Sequence, residues 1–190
     1  MVPDPAELRQ RLLANGARPG FAGLMLDRRF DHAGELLARD EVLRVRLFRQ
    51  ADGHETVWLG WKGPTGTTPE GYKSRRELEF AVQGAGASPA ELLEALNFQE
   101  SLRIDRYVEY YELGDTSLRL EWYPRMDVLL EVEGSGAGIE RALGVTGLPR
   151  SEFSADSLTA FATRYEVRTG RPAVLALDPA SAVAPSWESR

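Results

Sequence analysis

The sequence has no cysteine and only two histidines, His32 and His54. Without cysteine there is no disulfide framework, no thiolate nucleophile and no Cys-ligated zinc site. Two histidines cannot build a three-histidine metal centre. A Ser-His-Asp triad would still have its residue types, but no serine sits in a nucleophile-elbow pattern. No apolar run approaches the ~20 residues of a membrane span, and no signal-peptide pattern opens the chain. A cytoplasmic protein with no membrane partner is therefore expected. The net charge is −6 and no basic block is present, so nucleic acid is not an expected partner. Any metal should be a hard cation held by carboxylates.

What is present suits one soluble domain. The 190 residues are 43% hydrophobic and 27% charged, an ordinary globular balance. A single domain over 1–170 is expected, followed by a loose tail over 171–190 that contains Pro172, Pro179 and Pro185. Asp4-Pro5-Ala6-Glu7 is helix-start grammar, and Leu8, Leu12 and Leu13 give that helix an apolar face before Asn15-Gly16 ends it. Strands are expected over 22–32, 42–50 and 55–62, the last two joined at Asp52-Gly53. Gly63 to Ser74 is rich in glycine, threonine and proline and is expected as a long loop. A strand over 75–83, a helix from Ser88 to about Leu96, and strands near 102–112, 116–123 and 128–134 come next. Helices near 137–144 and 155–168 close the domain. Seven short strands with intervening helices predict an α+β protein with a mainly antiparallel sheet.

The unusual feature is the polar side of that sheet. Alternation places Arg44 with Arg46, Arg75 with Glu77 and Glu79, Arg119 with Glu121, and Glu131 with Glu133. Their neighbours Val45, Leu78, Leu118, Leu120 and Val132 are apolar. Two readings fit. One is a solvated face with cross-strand ion pairs, each contributing roughly 0.2–1 kcal/mol. The other closes the sheet into a barrel with a charged, wet interior and helices packed on its apolar outside. Burying that many charges is costly unless a ligand, metal or water compensates them.

Several segments in order resemble the CYTH superfamily of class IV adenylate cyclases and thiamine triphosphatases. Asp27-Arg28-Arg29-Phe30-Asp31 resembles its D-x-Y-F-D stretch, and Leu43-Arg44-Val45-Arg46 its L-R-x-R strand. Trp61-Lys62-Gly63-Pro64 and Arg75-Arg76-Glu77-Leu78-Glu79 are similar to its K-G-P strand end and R-x-E-x-E strand. Glu121 to Asp127 and Leu130-Glu131-Val132-Glu133-Gly134 resemble D-x-x-P-x-L-G and F-L-E-I-E-G.

The resemblance implies an antiparallel β-barrel of the triphosphate-tunnel type. It implies a metal-dependent hydrolase of a triphosphate-containing small molecule: inorganic triphosphate, thiamine triphosphate or a nucleoside triphosphate. An adenylate cyclase, and a catalytically impaired polyphosphate- or nucleotide-binding module, are the alternatives. Arg44, Arg46, Lys62 and Arg75 would grip phosphates, and either Arg103 or Arg106 would supply a further base. Those two lie on opposite faces of one strand, so alternation leaves both open. Glu77, Glu79, Glu121, Glu131 and Glu133 would bind Mg²⁺ or Mn²⁺. No protein nucleophile is assigned, since phosphoryl transfer needs mainly positioning and charge neutralisation.

One departure stands out. The superfamily's E-x-E-x-K strand, which precedes its first helix, has no counterpart in Met1-Val2-Pro3-Asp4. A late start codon, a genuine loss and a trimmed chain all fit. Seven of eight strands are expected, with unpaired edges that leave room for a homodimer. Asp127, where the superfamily has glycine, is expected in a turn, and Tyr107, Tyr110, Tyr111, Trp122, Trp58 and Trp61 are expected to pack rather than bind.

Overall fold

A computed structural model of the chain describes residues 1–83, 88–178 and 187. The chain forms two compact units: Met1–Gly23 with Arg106–Arg190, and Leu24–Asp105. Two long strands, β1 (Arg18–Asp31) and β7 (Gln99–Leu113), run through both.

In the first unit, α1 (Pro5–Ala14) opens as its sequence implies. The Asp4 carboxylate accepts the Glu7 amide at 2.9 Å, Pro5 starts the helix, and Leu8 and Leu12 are buried. After β7, Gly114 (φ 62°) turns the chain into β8 (Thr116–Trp122). That strand pairs antiparallel with β7 and with β9 (Leu129–Glu133). The face carrying Leu118 and Leu120 is fully buried. Helix α4 (Gly136–Thr146), capped by the Ser135 hydroxyl, packs on β8, β9 and α1 through buried Ala142 and Leu143. Helix α5 (Leu158–Thr169), capped by Ser157, ends at Gly170 with φ 67°. Arg168 near its end pairs with Asp127, so the acid expected in a turn also anchors α5.

In the second unit, β2 (Val42–Gln50) and β3 (Glu55–Lys62) form the expected hairpin, and β3 pairs antiparallel with β6 (Glu77–Val82). Helix α3 (Pro89–Ala95) carries a capping box in which Ser88 and Glu91 satisfy each other's backbone amides. Leu93 of α3 packs with Phe30 and Val45, against Leu43, Val57, Leu59, Ala90 and Phe98. Two short elements differ from the sequence-based expectation. A four-residue helix, α2 (Glu35–Ala38), forms because the Asp31 carboxylate accepts the Leu36 and Leu37 amides at 3.1 and 3.0 Å. The loop after Lys62 contains a small hairpin of β4 (Gly66–Thr67) and β5 (Lys73–Ser74), turned at Gly71 with φ 88°.

The strands form one seven-stranded sheet in the order β6-β3-β2-β1-β7-β8-β9. The protein is therefore α+β with an antiparallel sheet. Among the described residues that order ends at β6 and at β9, so the sheet is open where a closed barrel was expected. Of the tail, residues 179–186 and 188–190 lie outside the described residues. The part before them is tied down: Val174 bridges Arg125, and the Ala173 amide donates to Glu166 at 2.9 Å. Among the described residues, no helix is long and apolar enough to cross a membrane.

Candidate functional site

The polar faces inferred from alternation exist, and cross-strand register decides who meets whom on them. In the second unit, Val42, Lys62 and Glu77 form one row across β2, β3 and β6, and Arg44, Gly60 and Glu79 form the next. Gly60 matters because of what it lacks. A Cβ there would lie 3.2 Å from Glu79 Oε1 and 3.6 Å from Arg44 Cγ, so the bare strand lets those two side chains meet across it.

They do meet. Glu79 Oε1 accepts from Arg44 at 2.8 Å and from Arg46 at 2.5 Å. Glu77 Oε1 lies 2.7 Å from Lys62 Nζ, and its other oxygen lies 3.8 Å from Arg44. Behind Arg44 is Asp27 of β1, fully buried, with its carboxylate 3.8 Å from the guanidinium. The opposite face of the same strands holds Leu43, Val45, Leu59 and Trp61. Five of the predicted site residues, Arg44, Arg46, Lys62, Glu77 and Glu79, thus form one charge cluster. Asp27 was not singled out, although its place two residues before Arg29 in an alternating strand was the available signal.

Arg75 is not part of this cluster. Its Nε donates to Thr65 Oγ1 at 2.8 Å, and its terminal nitrogen donates to the Asp40 carbonyl at 3.0 Å and to the Asp40 carboxylate. The second Asp40 oxygen accepts the Thr65 amide at 2.7 Å. Hydrogen bonds from Thr65, then from Arg75, hold the Asp40 carboxyl well below the usual carboxylate range. These contacts tether the start of the 63–74 loop. Asp40→Ala should speed hydrogen exchange at the Thr65 amide by about tenfold, the scale of one lost hydrogen bond to a charged group. Mass-resolved exchange of the 63–74 segment would show it, and unchanged exchange would refute the tether.

The first unit holds a second cluster. Tyr110, Arg119 and Glu131 share a row across β7, β8 and β9, and Glu121 lies on the same face of β8. Arg119 donates to Glu121 at 2.5 Å and to the Tyr110 hydroxyl at 3.0 Å, and it pairs with Glu131. Arg106 Nε lies 3.5 Å from Glu121, and its terminal nitrogen donates to the Tyr123 hydroxyl at 3.3 Å. The Tyr123 hydroxyl in turn donates to Glu121. Burial alone would raise the Glu121 pKa, but the charges of Arg106 and Arg119 and the Tyr123 hydrogen bond hold it at about 2. Burial opposes the Arg119 charge as well, yet Glu121 and Tyr110 raise its pKa. Arg106 is buried, whereas Arg103 is exposed and pairs with Glu100. Of the two bases that alternation left open, Arg106 is the one on a charge cluster. Glu133 is exposed on the same face as Glu131, opposite Ser117.

Alternation also misses the buried acid Glu109. Glu109 lies on the apolar face of β7, opposite Leu120. There it accepts two hydrogen bonds from Arg9 of α1, at 3.0 and 2.9 Å, and one from Tyr111 at 2.9 Å. This pair joins α1 to the sheet. Burial first, and the Glu109 charge second, push the Tyr111 phenol up to about 12.

Carboxylate oxygens suit a hard cation, but among the described residues no three Asp, Glu or His converge as a metal cage. Mg²⁺ commonly needs only one or two protein carboxylates, with phosphate oxygens and water supplying the rest. Glu77 and Glu79 are two acids on one face of one strand, each held by a base. The pair could supply two carboxylates to such a cation.

No family model matches the chain, and none of the curated proteins matches it. Solved structures do. The PH1819 protein of Pyrococcus horikoshii superposes with a TM-score of 0.65 at 22% identity, covering 88% of this chain and 96% of that one. A protein of Vibrio parahaemolyticus, named as a candidate adenylate cyclase, gives 0.70 at 13% identity over 85% and 93%. HpAC1 from Hippeastrum, a candidate adenylyl cyclase whose structure is said to reveal a dominant triphosphatase activity, gives 0.58 at 20% identity over 94% of each chain. The chain shares the fold of these proteins.

Proposed function

We propose that the chain is a hydrolase of triphosphate-containing small molecules, with its charged sheet face forming the wall of a triphosphate tunnel. The observation that carries this reading is the pair Arg44 and Arg46. Their side chains are only 7% and 8% exposed, both point to the polar face, and both converge on one acid oxygen. Guanidinium forks on a sheet interior are suited to phosphate oxygens, which they can bind in bidentate fashion. Lys62 extends the basic row by one strand position.

The protein's own residues would bind and orient the phosphate chain and offset charge on its oxygens. Water is the nucleophile in this reading, and no side chain need form a covalent intermediate. Mg²⁺ or Mn²⁺, carried with the phosphates and held by Glu77 and Glu79, would neutralise further charge on the transferring group. The activity ascribed to the Hippeastrum structure favours hydrolysis over cyclisation as the leading reaction.

The test is phosphate release from inorganic triphosphate, thiamine triphosphate and ATP with Mg²⁺ or Mn²⁺ present, with cyclic AMP measured in the same reactions. Metal-dependent phosphate release from at least one of them is the expected result. Cyclic AMP without net phosphate release would establish the cyclase instead. Binding of triphosphate with no turnover would leave a binding module, and neither binding nor turnover would return the face to a solvated array of ion pairs.

A further inference from the structure

We infer that Glu79 is a built-in competitor for the phosphate seat, an internal anion that a triphosphate must displace from Arg44 and Arg46. This inference rests on the reading of that seat as a phosphate site. A single oxygen, Glu79 Oε1, accepts from both guanidinium groups at 2.8 and 2.5 Å, the same donors that a phosphate oxygen would take.

The two sides of the contact are unequally fixed. Arg44 and Arg46 are buried on β2, an interior strand of the sheet, and Arg44 has the buried carboxylate of Asp27 behind it. Glu79 is on β6, the end strand, and its side chain is 32% exposed. The bases are therefore held in place while the acid can rotate into water. Gly60 provides the gap through which the contact is made, with no side chain to block either position.

A carboxylate that must be displaced sets a threshold. A small singly or doubly charged anion offers little more than Glu79 already gives the arginines. A triphosphate brings more negative charge and more acceptor oxygens, and it can also engage Lys62. Glu79 thus imposes the same displacement cost on every anion, which leaves the ratio between ligands unchanged. Only those with enough charge to offset it occupy the seat at ordinary concentrations. If instead Glu79 serves only to recruit a cation, removing its charge should weaken triphosphate binding or, without metal, leave it unchanged.

The experiment is calorimetric titration of inorganic triphosphate and orthophosphate into wild type and Glu79→Gln, with a chelator present to exclude divalent metal. Glutamine preserves the shape and one acceptor but not the charge. Glu79→Gln should bind triphosphate about tenfold more tightly than wild type, the scale of one charge-assisted hydrogen bond no longer lost on binding. It should also bind orthophosphate more tightly by a similar factor, so that binding too weak to register in wild type comes within reach of the titration. The apo variant should melt at a lower temperature than wild type, because two buried guanidiniums lose their shared anion, and triphosphate should raise its melting temperature by more. Equal or weaker metal-free binding by Glu79→Gln, with wild-type binding intact, would overturn the inference alone. Absence of triphosphate binding by both proteins, with and without Mg²⁺, would overturn the phosphate-site reading together with it. A second readout needs no variant: the carboxyl carbon resonance of Glu79 in wild type should shift on saturation with metal-free triphosphate. A stationary resonance would also overturn the inference.

Discussion

Arg44→Ala is expected to lower the unfolding free energy by about 3–5 kcal/mol, the usual cost of removing one partner from a buried ion pair. Three acids face this guanidinium: Glu79 at 2.8 Å, and Glu77 and Asp27 each at 3.8 Å. Glu77 and Glu79 can turn towards water, so their loss of Arg44 costs little. Asp27 cannot, because it is fully buried. Most of the destabilisation should therefore trace to Asp27, and the double variant Asp27→Asn with Arg44→Ala should be more stable than the two single effects added. Urea denaturation of all four proteins gives the coupling directly. Strict additivity would show that Asp27 does not depend on Arg44. Arg44→Lys separates stability from recognition. It keeps the charge near Asp27 and should recover part of the stability, but a lysine has no fork for two phosphate oxygens. Its triphosphate affinity should stay well below that of wild type. Arg150→Ala, which removes only an exposed pair with Glu140, should alter neither quantity measurably.

The parts of this site that were legible in the sequence are those that depend on period alone. Alternation placed Arg44 and Arg46 on one face and Glu77 and Glu79 on another, because side chains of a strand point to opposite sides every second residue. It could not pair the strands. That Glu79 lies across Gly60 from Arg44 follows from the register of β2, β3 and β6, which local sequence does not encode. Arg75 shows a different limit. It precedes β6 and shares its period with Glu77 and Glu79, yet it is drawn to Asp40 and Thr65, because a long flexible side chain at a strand end can follow a local acid rather than the face. Between Arg103 and Arg106 the period offers no choice; burial sets Arg106, not Arg103, on a charge cluster. Glu109 was not legible because Arg9, which makes its position on the apolar face tolerable, lies a hundred residues away in sequence. Of the charged residues that the resemblance to a known superfamily named, Arg75 and Arg103 lie outside the two charge clusters. The resemblance did not indicate that the acids and bases of those clusters would pair with one another.

Acid should expose the second cluster through Glu121. Its carboxyl has an ordinary value of 4.5 and is held at about 2 in the folded protein. A depressed folded-state pKa means that the unfolded chain takes up the proton first as pH falls. The stabilisation is therefore complete above about pH 4.5 and is lost as pH falls towards 2. At neutral pH that difference amounts to about 3 kcal/mol. Glu121→Gln removes this titration. It also leaves Arg106 and Arg119 as buried cations without their shared anion, so the variant should be several kcal/mol less stable at pH 7, on the order of 3–5. Denaturation midpoints measured from pH 7 to 2.5 should then converge: wild type loses stability steeply below about pH 4.5, while the variant falls along a shallower line. Other acids with lowered pKa values, such as Asp31, Asp115 and Asp156, contribute equally to both curves and cancel in the difference. Tyr123, whose pKa is raised by burial and then by Glu121, does not titrate in this window. Parallel curves would mean that Glu121 is not held by the two arginines. Convergence would mean that the charge of this carboxylate is already committed to Arg106, Arg119 and Tyr123. The cluster of Arg44 and Arg46 in the second unit, whose partner Glu79 is more exposed, would then be the more responsive of the two to an added anion.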